Sequence, residues 1–218
     1  MLLVALGVWQ IQRLAWKTDL IAFRDAQFAA EPVPLPAKID AAALKALAFR
    51  RVTVGGRFRH DREIYLASLN HGETGFRVIT PLARDDGGWV LVDRGWIPAA
   101  KRDPATRAAG QIEGRVTIIG MVRADGRQGW FTPENDRAKN YWFWPDFAAM
   151  VDYAGVDAPP LVVVAGPTPT AKGPLKGSSL TVDIPNDHLV YAIIWLSLAV
   201  ALAVIYYLSQ RQPPVAGK

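Results

Sequence analysis

An uncharged segment of 20 residues, Leu189–Leu208, restricts the possible folds of this chain more than any other feature of its sequence. It contains one serine and is otherwise apolar or aromatic. A helix of this length extends ~30 Å at ~1.5 Å per residue, which matches the hydrocarbon thickness of a bilayer. Pro185 ends the preceding segment, and Asn186 and Asp187 are suitable N-cap residues. We therefore predict a transmembrane helix over residues 188–208.

The N-terminal segment is also apolar, but it is shorter. Met1–Ile11 has 11 residues, about half of the ~20 that a transmembrane helix requires. The segment lacks the basic start and the small-residue cleavage site of a signal peptide. Trp9, Arg13 and Lys17 are typical of the interfacial end of a membrane helix. We expect residues 1–12 to be an incomplete first transmembrane helix whose true start lies upstream. The alternative is a short apolar helix that packs on the protein.

The segment between the two apolar ends has the pattern of a folded domain. An amphipathic helix over 12–29 and a Pro-rich linker come first, and short helices are expected over 40–49 and 146–155. Six segments are rich in β-branched and aromatic residues and are separated by turn residues; they are 51–58, 63–67, 76–82, 88–97, 115–123 and 160–166. The sequence therefore predicts a membrane-anchored α+β protein. Its mainly antiparallel β domain, residues 13–187, is flanked by two transmembrane helices and followed by a tail at 209–218.

The composition excludes several classes of function. The chain has no cysteine, which excludes disulfides, CxxC redox motifs, cysteine zinc sites and CxxCH haem attachment. Its 25 Lys and Arg are scattered among 20 Asp and Glu. No basic run of the kind that follows a nucleic-acid backbone is present, so we expect no nucleic-acid partner.

The sequence also lacks the common catalytic motifs. There is no Gly-x-Ser-x-Gly elbow, His-Glu-x-x-His zinc motif, Gly-x-Gly-x-x-Gly motif or P-loop. A hydrolase could use His60 with Asp61, or His71, as its base. Sequence neighbours such as His60 and Asp61 seldom orient one another, however. We predict that the chain is not an enzyme, and a membrane-anchored hydrolase is the alternative.

The stretch VLVDRGWIP at 90–98 combines a strand pattern with a charged pair and a tryptophan. We interpret it as structural: Asp93 and Arg94 would form a pair, and Trp96 would anchor the end of the strand. The alternative is that Arg94 and Trp96 face a partner or the membrane surface.

The stretch NYWFWPDF at 140–147 is dense in aromatic residues, and Trp130 and Phe131 are nearby in sequence. Clusters of this kind are typical of a hydrophobic core. An interfacial or haem-edge role is the alternative.

His188 lies at the start of the predicted transmembrane helix and is one of three histidines in the chain. On a helical wheel it shares a face with Tyr191, Trp195 and several alanines, so a partner helix or a flat ligand could approach closely. The positive end of the helix dipole disfavours a protonated ring, and the neutral imidazole is the form that binds a metal. From the residues alone, three interpretations are open: an interfacial histidine that hydrogen-bonds Asp187 or water, an axial ligand of haem iron, or a protein contact.

Five segments, in order along the chain, resemble the Surfeit locus protein 1 family of cytochrome oxidase assembly factors. They are LGVWQIQRLAWK at 6–17, GRFRHDREIYL at 56–66, GFRVITPL at 75–82, VDRGWIP at 92–98 and NDHLVYAIIW at 186–195. On these motifs the chain is identified as a bacterial member of that family. The resemblance implies a multi-pass protein of the cell inner membrane, with an extracytoplasmic (periplasmic) domain between two transmembrane helices.

The resemblance also implies a function. In bacterial members the histidine of the second span is considered an axial haem ligand, and the NDHL motif assigns that role to His188. Tyr191 and Trp195 are expected to line the haem pocket. We therefore expect an assembly factor for haem–copper (cytochrome c or quinol) oxidases that binds haem a non-covalently and assists its insertion into the catalytic subunit. A haem-free membrane scaffold for an oxidase assembly intermediate is the alternative.

The same resemblance indicates the partners. They are cytochrome oxidase subunit I, other oxidase assembly factors and membrane lipid, with haem a synthase as a further candidate.

Overall fold

The computed structural model describes residues 1–124, 126–166, 175, 177 and 186–211. The chain divides into two compact units. Met1–Asp25 together with Asp183–Lys218 form what we call the helical unit, and Ala26–Val182 form the β unit. Pro185 and residues 212–218 of the predicted tail lie outside the described residues.

The first helix, α1, runs over Leu2–Ala29 and has 28 residues. It continues without interruption across the predicted boundary between an apolar span and an amphipathic helix, so these two predicted segments form one helix. Helix-favouring Leu, Ala, Gln, Arg and Lys dominate its sequence. Pro32, three residues after the helix, cannot continue it.

Within the described part of the β unit, seven strands form a single sheet. Its strand order is β1-β2-β6-β7-β5-β4-β3, and a further pairing between β2 and β4 joins the sheet back to itself, so the sheet is barrel-like. The strands are β1 (Val33–Pro34), β2 (Arg51–Phe58), β3 (Ile64–Asn70), β4 (Glu73–Arg84), β5 (Trp89–Pro98), β6 (Arg115–Arg123) and β7 (Val162–Ala165). Among the described strands, β1 with β2 and β5 with β7 pair in parallel, and the other pairs are antiparallel. The mainly antiparallel α+β domain and its six predicted strands are confirmed; β1, within the Pro-rich linker, was not predicted.

Two hairpin turns set the register of β3, β4 and β5. His71 and Gly72, between β3 and β4, both have positive φ, at 49° and 83°, as a type I′ turn requires. Gly87 and Gly88, between β4 and β5, have φ of 93° and 76°. Glycine adopts this backbone region without the steric cost of a Cβ, which is why the DDGG segment forms the predicted turn.

The described core of the β unit consists of two large clusters of buried residues and a smaller one around Phe76. Val52, Val90 and Ile118 belong to a cluster of buried residues from β2, β4, β5, β6 and β7. Leu91 instead packs with Met150 in a second cluster, beneath a helix that lies against the sheet. Successive residues of a strand point to opposite faces. The run of buried residues along β5 therefore reflects a strand that is covered on both faces.

Short helices complete the β unit. The helix α2 (Ala41–Ala46) begins at Asp40, whose carboxylate accepts a hydrogen bond from the Ala43 N–H at 2.7 Å. The helix α3 (Phe147–Ala154) begins in the same way at Asp146 and ends at Gly155 in the left-handed conformation. The 3₁₀ segments are His60–Arg62, Ala99–Lys101 and Pro104–Gly110, and the last of them is kinked at Arg107, whose backbone is not helical.

The last helix, α4, covers His188–Gln210. Of the helices within the described residues, it is the one whose length and composition suit a membrane span. The predicted apolar helix at this place is therefore confirmed. Asp187 occupies the N-cap position, but its side chain makes no capping hydrogen bond. A first transmembrane helix within α1 stays a prediction.

Candidate functional site

His188 is the first residue of α4 and lies beside α1 in the helical unit. Its Nδ1 is 2.7 Å from Oε1 of Gln10, a residue of α1. An amide oxygen accepts hydrogen bonds, so Nδ1 carries the proton and donates it. In the neutral tautomer that donates from Nδ1, Nε2 is the nitrogen whose lone pair can ligate a metal. Metal-binding histidines usually donate their other ring N–H to a fixed acceptor in this manner.

A cavity of about 450 Å³ lies next to this histidine. Its volume is within the ~300–1,000 Å³ that is usual for small-molecule and cofactor sites. The lining residues are Gln10, Lys17, Asp187, His188, Tyr191 and Trp195. All three residues that the sequence placed in a haem pocket, His188, Tyr191 and Trp195, thus line one cavity. Their role toward haem stays a prediction.

The cavity lining has an aromatic part and a polar part. The rings of Tyr191 and Trp195 come from α4, and the polar side chains of Gln10 and Lys17 come from α1. The sequence reasoning missed Gln10 and Lys17. Their separation of seven residues, two helical turns, puts them on the same face of α1, and this spacing within WQIQRLAWK could have identified them.

Close packing brings α1 and α4 together beside the cavity. A Cβ added to Gly7 would lie 2.7 Å from Cδ2 of Leu196, closer than side-chain atoms normally approach. Gly7 is the buried residue of α1, and Ala192 is the buried residue of α4. Small residues allow two helix backbones to approach. Gly7 lies one turn from Gln10 and Ala192 one turn from His188, so this packing holds the hydrogen-bonded pair together.

A second concentration of polar side chains, which the sequence did not predict, surrounds Glu63 in the β unit. Glu63 is 5% exposed. Its carboxylate lies 3.1 Å from Nη1 of Arg94 and also pairs with Nη2 of Arg107, and both guanidinium side chains are fully buried. The Tyr65 hydroxyl donates to Oε2 at 3.1 Å, and the Gln111 amide donates to Oε1 at 3.3 Å. We call these five residues the Glu63 cluster.

The surroundings of Glu63 favour the ionised form of its carboxyl group. Burial alone would raise the pKa of the Glu63 carboxyl, but hydrogen bonds from His60 and Arg107 outweigh it. Together with the charges of the two buried arginines, they lower this pKa to about 2. Burial and the charge of Glu63 raise the pKa of Tyr65 to about 12. Burial lowers the pKa of Arg94 to about 10, although Glu63 opposes this shift. The cluster therefore holds one carboxylate and two guanidinium ions at neutral pH.

The Glu63 cluster joins segments that are distant in the chain. Glu63 directly precedes β3, Arg94 lies on β5, and Arg107 lies in the 3₁₀ segment Pro104–Gly110. Arg94 also donates to the carbonyl oxygen of Gly110. We infer that the cluster fixes this segment to the sheet and has a structural role.

The stretch 90–98 is structural, as the sequence favoured, but its charged pair differs from the predicted one. Arg94 and Trp96 are buried, so the alternative in which they face a partner is wrong. Asp93 accepts a hydrogen bond from Nε of Arg77 at 2.5 Å, while Arg94 pairs with Glu63. Adjacent strand residues point to opposite faces, so Asp93 and Arg94 cannot pair with one another.

His60, a histidine that a hydrolase could use as its base, is not oriented by Asp61. Nε2 of His60 is 3.0 Å from the carbonyl oxygen of Ile112, and Nδ1 is 3.3 Å from Glu63. Asp61 pairs with Arg59 instead of orienting His60. Within the part of the chain that the structure describes, no group of three or more His, Asp or Glu residues could hold a metal ion.

Comparison with known proteins shows the family to which the chain belongs. The model of the SURF1 family matches residues 1–200 of the chain. The chain belongs to the SURF1 family. Surfeit locus protein 1 of Homo sapiens is 37% identical over 219 residues, which cover 93% of this chain and 72% of that protein. The Mus musculus protein is 36% identical, with 93% and 70% covered, and the Takifugu rubripes protein is 35% identical, with 93% and 90% covered.

The family match confirms the resemblance that the five motifs indicated. In this member of the SURF1 family, the matched region contains all the residues that line the cavity and all those of the Glu63 cluster. Family membership and the apolar helix α4 together indicate that the protein associates with a membrane.

Proposed function

We propose that this protein is a membrane-anchored assembly factor for haem–copper oxidases that binds haem a through His188 and assists its insertion into the catalytic subunit. Membership of the SURF1 family implies the role in cytochrome c oxidase assembly. The observation that supports haem binding is the Gln10–His188 hydrogen bond beside the cavity. It leaves Nε2 of the histidine as the nitrogen that can ligate iron.

The residues around the cavity fit the chemistry of this cofactor. Haem is a flat apolar macrocycle with an iron that accepts imidazole nitrogen and with carboxylates at one edge. Tyr191 and Trp195 provide aromatic surface for the macrocycle, His188 provides the imidazole, and Lys17 provides a cation that attracts carboxylates. Within its oxidase, haem a supplies redox-active iron. The present chain needs only to hold and release the cofactor, so no catalytic residue is proposed.

The arrangement also suits release of the cofactor. His188 is the one imidazole among the residues that line the cavity. A haem iron that is held by one histidine can pass to a histidine of a receiving protein more readily than an iron that is held by two histidines. The receiving protein in this proposal is cytochrome oxidase subunit I, haem a synthase is a source, and other oxidase assembly factors and membrane lipid are further partners.

The membrane arrangement is part of the same proposal. We place the protein in the inner membrane of a bacterial cell, with α4 as one span, the apolar start of α1 as part of another, and the β unit in the periplasm. The support for this arrangement is the length and composition of α4 and the apolar residues at the start of α1.

A haem measurement tests the proposal. The full chain would be purified from cells that make haem a, and its visible spectrum and pyridine haemochrome recorded for the wild type, for His188→Ala and for His71→Asn. His71→Asn is the matched control because His71 lies in an exposed turn with positive φ, which asparagine tolerates. We expect the wild type and His71→Asn to carry haem and His188→Ala to lose it.

Two results would contradict the proposal. Full haem content in His188→Ala would exclude His188 as the ligand. A wild type without haem that still supports oxidase assembly would favour the haem-free scaffold.

A further inference from the structure

Two adjacent aromatic side chains lie outside both sites described above. Trp130 is 100% exposed and Phe131 is 99% exposed. They follow β6 and precede the aromatic stretch 140–147, whose Trp142 is fully buried. Packed aromatic rings bury about 150–250 Å² each. The pair, which we call the aromatic tip, therefore presents roughly 300–500 Å² of apolar surface to solvent.

Hydrogen bonds give the aromatic tip a definite conformation. The carbonyl oxygen of Gly129 accepts from the Thr132 N–H at 2.9 Å, so Trp130 and Phe131 are the two central residues of a β-turn. The side-chain amide of Gln128 donates to the Thr132 carbonyl at 3.0 Å and to Oε1 of Glu134 at 3.2 Å. These hydrogen bonds connect Gln128, before the turn, with Thr132 and Glu134, after it, and so stabilise the turn.

The base of this loop is also held in place. A Cβ on Gly126 would lie 1.6 Å from the carbonyl oxygen of Pro145, so the two backbones are in direct contact. Asn135 accepts from the Phe143 N–H at 2.8 Å and donates to the Trp144 carbonyl at 3.2 Å. The loop thus combines a well-anchored base with two large apolar side chains that pack against nothing in the described chain.

We propose that the aromatic tip inserts into the interfacial layer of the lipid bilayer with which this protein associates. Tryptophan favours the membrane–water interface, where its ring is buried and its N–H stays hydrated. The exposed Arg127, three residues before Trp130, adds attraction to anionic headgroups. This inference depends on membrane association but not on haem binding.

The area of the tip favours a bilayer over a protein as its partner. A stable protein interface buries about 800 Å² on each side, and the tip offers roughly 40–60% of that area. A bilayer needs no complementary shape. Because α4 anchors the chain, the bilayer is also present at a high effective concentration, so a small apolar contact is sufficient. Insertion gives the β unit a membrane contact of its own and restricts its motion relative to the bilayer.

The absence of cysteine from the sequence allows a specific test. A single cysteine at Pro133→Cys, an exposed position two residues after Phe131, would carry an environment-sensitive fluorophore and leave both rings in place. The labelled full chain would be reconstituted alone in vesicles of phosphatidylethanolamine and phosphatidylglycerol. Its quenching would be measured with nitroxide lipids and with an aqueous quencher. A label at Ala100→Cys, an exposed position in another segment, is the reference for a solvent-exposed site.

With the intact tip, we expect blue-shifted emission, quenching by nitroxide lipids, and aqueous quenching several-fold weaker than at Ala100→Cys. The double substitution Trp130→Ser with Phe131→Ser should return the label to the solvent-exposed values. It should not change the unfolding midpoint, because neither side chain is packed. Equal aqueous quenching at the two labelled positions would overturn the proposal. A label protected from water but not quenched by nitroxide lipids would also overturn it, because the tip would then be packed against protein.

Discussion

The Glu63 cluster makes a quantitative prediction about stability. Glu63→Gln keeps the size and most of the hydrogen-bonding capacity of the side chain but removes the charge that faces two buried guanidinium groups. The pKa of Glu63 is about 2, against an ordinary value of 4.5. At ~1.36 kcal/mol per pKa unit, the folded environment stabilises this carboxylate by about 3 kcal/mol. Removal of one partner from a buried ion pair costs about 3–5 kcal/mol in general. We therefore expect the free energy of unfolding to fall by about 3 kcal/mol.

The assay is urea unfolding of the full chain in detergent, followed by near-ultraviolet circular dichroism of the buried aromatic residues. With a urea dependence of about 1–3 kcal/mol per molar, the midpoint should fall by roughly 1 M or more. The matched control is Glu73→Gln, an exposed residue at the start of β4, which should change stability by less than about 0.5 kcal/mol. A Glu63→Gln protein as stable as this control would refute the idea that the carboxylate holds the two arginines in place.

Two further predictions concern pH and the cavity. The pKa of Glu63 is depressed in the folded state, so its contribution to stability is complete above about pH 4.5 and is lost as the pH falls toward about 2. Unfolding midpoints should therefore decline across that window in the wild type and less steeply in Glu63→Gln, and parallel curves would contradict the assignment. In the helical unit, Gln10→Leu removes the acceptor for Nδ1 of His188 and should weaken haem binding by about 10–100-fold. Gln10→Glu keeps the acceptor and should bind haem well. Spectroscopic titration against Gln12→Leu, an exposed neighbour on the same helix, is the check; equal affinities for the two leucine variants would exclude a positioning role.

Several elements of this protein could be predicted because their signals are local. The apolar run that forms α4, the Asp–Asp–Gly–Gly turn between β4 and β5, and the Gly155 stop of α3 each depend on a few neighbouring residues. The strand β1 was missed because two residues of a Pro-rich segment carry no periodicity, and only their pairing with β2 makes them a strand. The predicted boundary after residue 12 marks a change in polarity within α1, and a change in polarity does not interrupt the hydrogen bonds of a helix.

The site itself was predicted only in part. The sequence placed His188, Tyr191 and Trp195 on one face because all three belong to a single helix with a 3.6-residue period. Gln10 is 178 residues away from His188, and no local pattern connects the two. The sequence also offered Asp93 as the partner of Arg94, whereas the strand geometry separates them and brings Glu63, 31 residues away, to the guanidinium.

By itself, the sequence determined the order of the helices and of six of the seven described strands, the apolar segment suited to a bilayer, the family, and the face of α4 that carries the candidate ligand. These features depend on residue propensity, hydrophobic periodicity and sequence motifs, each of which is contained in a short segment of the chain. Only the tertiary structure decided which charges are buried as the Glu63 cluster, which acceptor fixes the ring of His188, and which aromatic residues remain exposed at the tip. Burial and pairing depend on contacts between residues that are distant in sequence, and the packing of the whole chain selects those contacts.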